Sequence, residues 1–95
     1  MLYLYMYQIT KYSYEKAKQL GVEIKPSKST GKKIDVYKNG VKVASVGNIH
    51  YKDFPNYLKQ DKDLAIQRRH LYKLRHEKDR HRKGSAGYYA DQLLW

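Results

Sequence analysis

Cysteine is absent from this chain of 95 residues, which excludes disulfides and thiolate metal centres and leaves nothing to suggest secretion. Acidic residues are scarce, 9 Asp+Glu against 20 Lys+Arg, so the chain cannot neutralise its own bases. Long apolar runs are missing too. The longest, MLYLYMY, falls far short of the roughly 20 residues a spanning helix needs. It also lacks the basic flank and cleavage site of a signal peptide. Phe and Trp occur once each. No glycine-rich phosphate loop is present, since GSAG matches neither nucleotide-binding fingerprint.

What remains is strongly basic, with a formal net charge of +11 and a pI near 9.8. Such a surface points first to nucleic acid, then to anionic lipid headgroups, then to an acidic protein. The length suits a single domain, 1–95, with a core too small for a deep active site. Eleven Tyr supply large apolar faces whose hydroxyls stay satisfied at a wet boundary. They fit a surface covered by a partner or a shallow core with its hydroxyls in water.

The stretch KDLAIQRRHLYKLRHEKDRHRK, Lys62 to Lys83, contains no Gly or Pro and predicts one long helix of about twenty residues. Asp61 or Asp63 caps its start, and Gly84 is where the chain leaves it. Leu64, Leu71 and Leu74 form a thin apolar stripe that Ala65, Ile66 and Tyr72 widen. Around it stand Arg68, Arg69, Lys73, Arg75, Lys78, Arg80, Arg82 and Lys83, with His70, His76 and His81. Spaced pairs such as Lys73–Glu77 and Arg75–Asp79 account for the acids of this stretch but not for the surplus of bases.

Elsewhere, residues 1–10, MLYLYMYQIT, read as a strand. Ser13 opens a short helix that stops at Gly21, and Val22 to Lys25 form a brief strand ended by Pro26. SKSTGKK reads as a loop whose Lys28, Lys32 and Lys33 serve either phosphate contact or solubility. IDVYKNGVKVASVG predicts two strands joined by a tight Asn39-Gly40 turn, with Asp35, Lys38, Lys42 and Ser45 facing solvent. Asp53 and Pro55 start a short helix carrying Phe54, Tyr57 and Leu58. The final YYADQLLW is apolar enough to dock, so residues 84–95 are expected to pack on the domain. The order β-α-β-β-β-α-α gives the expected class: α+β, a small mostly antiparallel sheet with an Asn-Gly hairpin, packed by a short helix and one long basic C-terminal helix.

Three segments, MYQITKYSYEKAKQLGVEIKPS, KIDVYKNGVKVASVG and RRHLYKLRHEKDRHRKGSAGYYADQLLW, carry a resemblance. They are similar to small basic proteins of unknown function encoded by nucleocytoplasmic large DNA viruses of algae and protists. The likeness runs from Met6 onward and is most specific from Arg68 to Trp95. Met1 to Tyr5 depart from it as an N-terminal extension. The resemblance implies a viral origin and a place in the virion, the host nucleus or the cytoplasmic virus factory. It carries no catalytic residue across.

A search for chemistry finds little. His76 and His81 are five apart and His70 and His76 six apart, so neither pair has the i,i+4 spacing of zinc helices, and no metal ligand is expected. No Ser sits in a nucleophile setting, and HEKDRH on one helix cannot supply carboxylates converging from separate elements. The expectation is a protein without catalysis or cofactor. The eight Arg and Lys of the 62–83 stretch then form the nucleic-acid-binding set. No helix-turn-helix, zinc-finger or zipper spacing accompanies them, so contact is with the backbone rather than the bases. Tyr88 and Tyr89 either stack on unpaired bases or pack the C-terminal segment. The function expected is a non-catalytic basic viral protein that binds nucleic-acid backbone within a virion or nucleoprotein assembly. The alternative is a minor capsid protein whose basic surface bridges acidic neighbouring subunits.

Overall fold

A computed structural model describes residues 7–95. The strand expected over residues 1–10 lies mostly outside the described residues, and its described part, 7–10, is irregular. In chain order the elements are α1 (Lys11–Leu20), β1 (Glu23–Pro26), β2 (Lys32–Lys38), β3 (Val41–Asn48), α2 (Phe54–Gln60), α3 (Lys62–Arg75) and α4 (Ala86–Leu94). This is a small α+β architecture, with a three-stranded antiparallel sheet in the order β1-β2-β3.

α1 starts earlier than the sequence suggests. Thr10, in extended backbone, is the N-cap, and its Oγ1 accepts from the Ser13 N–H at 3.2 Å. Ser13 lies inside the helix and fully buried, where its hydroxyl donates to the Leu93 carbonyl at 2.6 Å. At the other end Gly21 adopts φ 73, and the N–H groups of Gly21 and Val22 return to Lys18 O and Ala17 O.

In the sheet Ile24 opposes Val36 and Ile34 opposes Val46, so these four residues share one face. Lys38 opposes Val41, with Asn39 at φ 54 and Gly40 at φ 79 between them. Val36 faces Ala44 but Tyr37 faces Lys42, which leaves Val43 as an extra residue. Such a bulge breaks the in-out alternation; Val41, beside the turn, and Val43 are both exposed. Asp35, expected in solvent, is buried instead. Its carboxylate accepts from Ser27 Oγ at 2.6 Å, Ser45 Oγ at 2.7 Å and the Lys28 N–H at 3.2 Å. Burial works to raise its pKa, but these hydrogen bonds outweigh it and hold the carboxyl below its usual range.

The core gathers Ile9, Ala17, Ile24, Ile34, Val36, Val46, Tyr89, Leu93 and Leu94. α4 therefore lies on the sheet and against α1, with its apolar C-terminal residues fully buried. α2 packs on α3. Asp53 is the α2 N-cap residue, and its backbone N–H donates to Asn56 Oδ1 at 3.1 Å. Its carboxylate turns inward to accept from Tyr7 Oη and Lys33 Nζ. Lys33, read from sequence as a loop cation, is thus a buried member of β2 paired with Asp53.

The long helix is the main correction. α3 ends at Arg75, where the His76 backbone moves to φ −108, ψ 19. Residues 76–85 form a chain of turns, bonded Asp79 N–H to His76 O and Arg82 N–H to Asp79 O. The physical reason is in the pattern HEKDRHRK: beyond Leu74 it has no apolar side chain to hold a helix against the core. Continuing as a helix would carry the chain outward at about 1.5 Å per residue. By turning back, the chain delivers α4 to the sheet.

α3 is also rotated from the expected orientation. Ala65 and Tyr72 are buried, with Arg69, Lys73 and His76 half-buried on the same side, at helical spacing. Ile66, Leu71 and Leu74 face outward, Leu74 at 62% exposure. Small Ala65 lets the helix approach closely, and Tyr72 is the larger anchor.

Candidate nucleic-acid interface

Asp61 sets the start of α3, its carboxylate accepting from the N–H groups of Asp63 at 2.9 Å and Leu64 at 3.3 Å. From that start the eight candidate cations fall into two groups. Three are engaged inside the subunit. The Arg69 guanidinium lies 3.5 Å from the Phe54 ring centroid, with Nε buried. Lys73 Nζ donates to Asp91 Oδ1 at 2.8 Å. Arg80 pairs with Glu77 at 2.8 Å and stands 3.8 Å from Asp91. The other five, Arg68, Arg75, Lys78, Arg82 and Lys83, are exposed and form no ion pair among the described residues.

Asp91 explains the division. It is 1% exposed on α4, and drawing Lys73 from α3 and Arg80 from the turns toward it offsets the cost of burying a carboxylate. The expected pairs Lys73–Glu77 and Arg75–Asp79 do not form, because the helix that would align them stops at Arg75. Glu77 instead accepts from His81 and Arg80, and those two hydrogen bonds hold its carboxyl below the usual range. Asp79 meets His76 at 3.2 Å. Gly87 marks how closely α4 begins against the turns: a Cβ there would lie 3.0 Å from Asp79 Cβ and 3.2 Å from Asp79 O.

Tyr72 is the centre of an aromatic stack. The His76 ring lies on one side at 4.4 Å and the Trp95 indole at 4.6 Å, 11° from parallel. Burial, followed by the nearby Asp91 charge, pushes the Tyr72 phenol up to about 12. Trp95 also borders two adjoining cavities of about 330 and about 360 Å³. Both are lined by Tyr51, Lys52, Arg75 and Trp95. The first adds Lys32 and the buried Lys33–Asp53 pair, and the second adds Tyr57, Arg68 and Leu71. Gly47, which lines the first, is closely packed: at φ 85, a Cβ there would stand 2.9 Å from both Leu94 Cδ1 and Lys33 Cδ.

Tyr51, Lys52 and Trp95 are not among the residues that the sequence singles out as contacting a ligand, whereas Lys32 is, with the other lysines of SKSTGKK. The available signal was the single Trp beside a basic helix and the HYK triplet before the α2 cap. Tyr88 and Tyr89 meet each other edge to face at 5.4 Å, and Tyr89 is buried in the core. Tyr89 is thus a packing residue rather than a stacking platform. Among the described residues no group of three or more His, Cys, Asp or Glu is placed to hold a metal ion. No helix among them is long and apolar enough to cross a membrane. Comparison with known proteins returns no matching family model, no matching curated protein and no matching solved structure.

Proposed function

We propose that this protein binds the phosphate backbone of nucleic acid without catalysis, as a component of a viral nucleoprotein assembly. The observation that carries the reading is the set of unpaired cations. Arg68 and Arg75 project from the exposed side of α3, and Lys78, Arg82 and Lys83 follow in the adjoining turns. The carboxylates of this end are already taken up by Lys73, Arg80, His76 and His81. Cations left without a carboxylate partner repel one another, and a polyanion relieves that repulsion. Arg guanidinium groups fork onto phosphate oxygens, and Lys ammonium groups act as point charges.

Fluorescence anisotropy with random-sequence duplex tests this. Binding is expected to weaken in Arg68→Ala/Arg75→Ala and in Lys78→Ala/Arg82→Ala/Lys83→Ala, by similar factors for every sequence. Wild-type affinity unchanged by either set would contradict the reading. A second reading, a minor capsid protein that bridges acidic subunits, is favoured by the outward Ile66, Leu71 and Leu74 beside the same cations. It predicts that substitution of these three weakens a protein complex while leaving duplex binding untouched.

A further inference from the structure

The cations of α3 do not stand alone: Arg68 and Arg75 line the same groove as the aromatic residues Tyr51 and Trp95. One face of the Trp95 indole is occupied by Tyr72, which holds the ring in a fixed plane. Tyr51, which lines the same groove, is 71% exposed and so presents its ring to solvent. Two cations lie over the Tyr57 ring, Lys52 at 5.9 Å and Arg68 at 5.8 Å from its centroid. The result is a surface alternating flat aromatic faces with unpaired positive charge. Among the described residues that line the two cavities the one acidic side chain, Asp53, is already paired with Lys33.

Two chemistries are matched by that alternation. Phosphates take up the guanidinium and ammonium groups, and planar rings take up the aromatic faces. A duplex offers only the first, because its bases are stacked inside. A single strand offers both at nucleotide spacing. The two cavities that Trp95 lines, of about 330 and about 360 Å³, have the size of a small planar ligand. We infer that the groove between Tyr51 and Trp95 is a seat for unpaired nucleotides, with bases against these two rings and phosphates on Arg68, Arg75 and Lys52. This rests on the phosphate-binding reading above and adds to it a preference for single-stranded nucleic acid over duplex.

Trp95 is the only tryptophan, so its fluorescence reports the groove directly. The experiment titrates the full chain with short oligo(dT), oligo(U) and a duplex of the same length. It follows Trp95 emission and, separately, the anisotropy of labelled nucleic acid. Expected is quenching by one or both single strands and none by the duplex. Tyr51→Ala, at an exposed position that leaves folding untouched, should weaken single-strand binding about ten-fold and duplex binding hardly at all. If both forms bind equally, without quenching and without an effect of Tyr51→Ala, the seat is disproved while phosphate binding stands. If neither form binds at low salt, both fail.

Discussion

Lys33 puts a charged amine in the interior, 2% exposed, where it donates to Asp53 and to the Tyr51 carbonyl. Asp53 also accepts from Tyr7, whose phenol pKa is raised by burial and then by that carboxylate. Removing one member of a buried pair strands the other. Lys33→Ala is therefore expected to cost about 3–5 kcal/mol in chemical denaturation, whereas Lys33→Met/Asp53→Leu should cost far less. Asp35 provides a pH test. Its folded pKa lies below the ordinary 3.8, so its stabilisation is complete above that value and is lost as pH falls through the folded one. Stability should thus decline on acidification below about pH 4, and Asp35→Asn should flatten that decline. An unchanged acid profile in Asp35→Asn would contradict the assignment. Neither residue could be read as buried from sequence, since alternation along β2 places Lys33 and Asp35 on the polar side. Only Asp53 from α2 and the Ser27 and Ser45 hydroxyls make that side a good environment for charge.

Among the elements, α2 and the strands flanking Asn39 and Gly40 were legible because their signals are local: an Asp-Phe-Pro start, and two β-branched runs around a turn pair. α3 was legible at its start and not at its end. Gly84 looks like a stop, but the stop that matters is the loss of apolar residues after Leu74, and the anchor that bends the chain back is Asp91, far along the sequence. The orientation of α3 was hidden for a similar reason, because three leucines outweigh one alanine in any pattern. Substitutions expose the difference. Leu74→Lys should change stability by no more than about 0.5 kcal/mol. Ala65→Leu, at a site with no room, should cost about 1–3 kcal/mol by thermal or chemical denaturation. The reverse order would mean that the leucine stripe faces the core after all. Asp91→Asn should release Lys73 and Arg80 and loosen the 76–85 turns, read as faster amide exchange at Asp79 and Arg82.

For the whole molecule, a net charge of +11 on 95 residues is a standing source of self-repulsion. The fold deals with part of it by sending Lys33, Lys73 and Arg80 to interior or half-buried carboxylates and Arg69 to an aromatic ring. Five of the remaining bases, Arg68, Arg75, Lys78, Arg82 and Lys83, are left exposed on α3 and the turns that follow. The most direct test is the salt dependence of binding to random duplex DNA. Each phosphate neutralised contributes about −0.9 to the slope of log affinity against log salt. With Arg68, Arg75 and the three turn cations each meeting a phosphate, a slope of about −4.5 is expected, becoming shallower by about 1 for each of Arg68→Ala and Arg75→Ala. An affinity that is flat with salt, or a slope the two substitutions leave unchanged, would contradict the account.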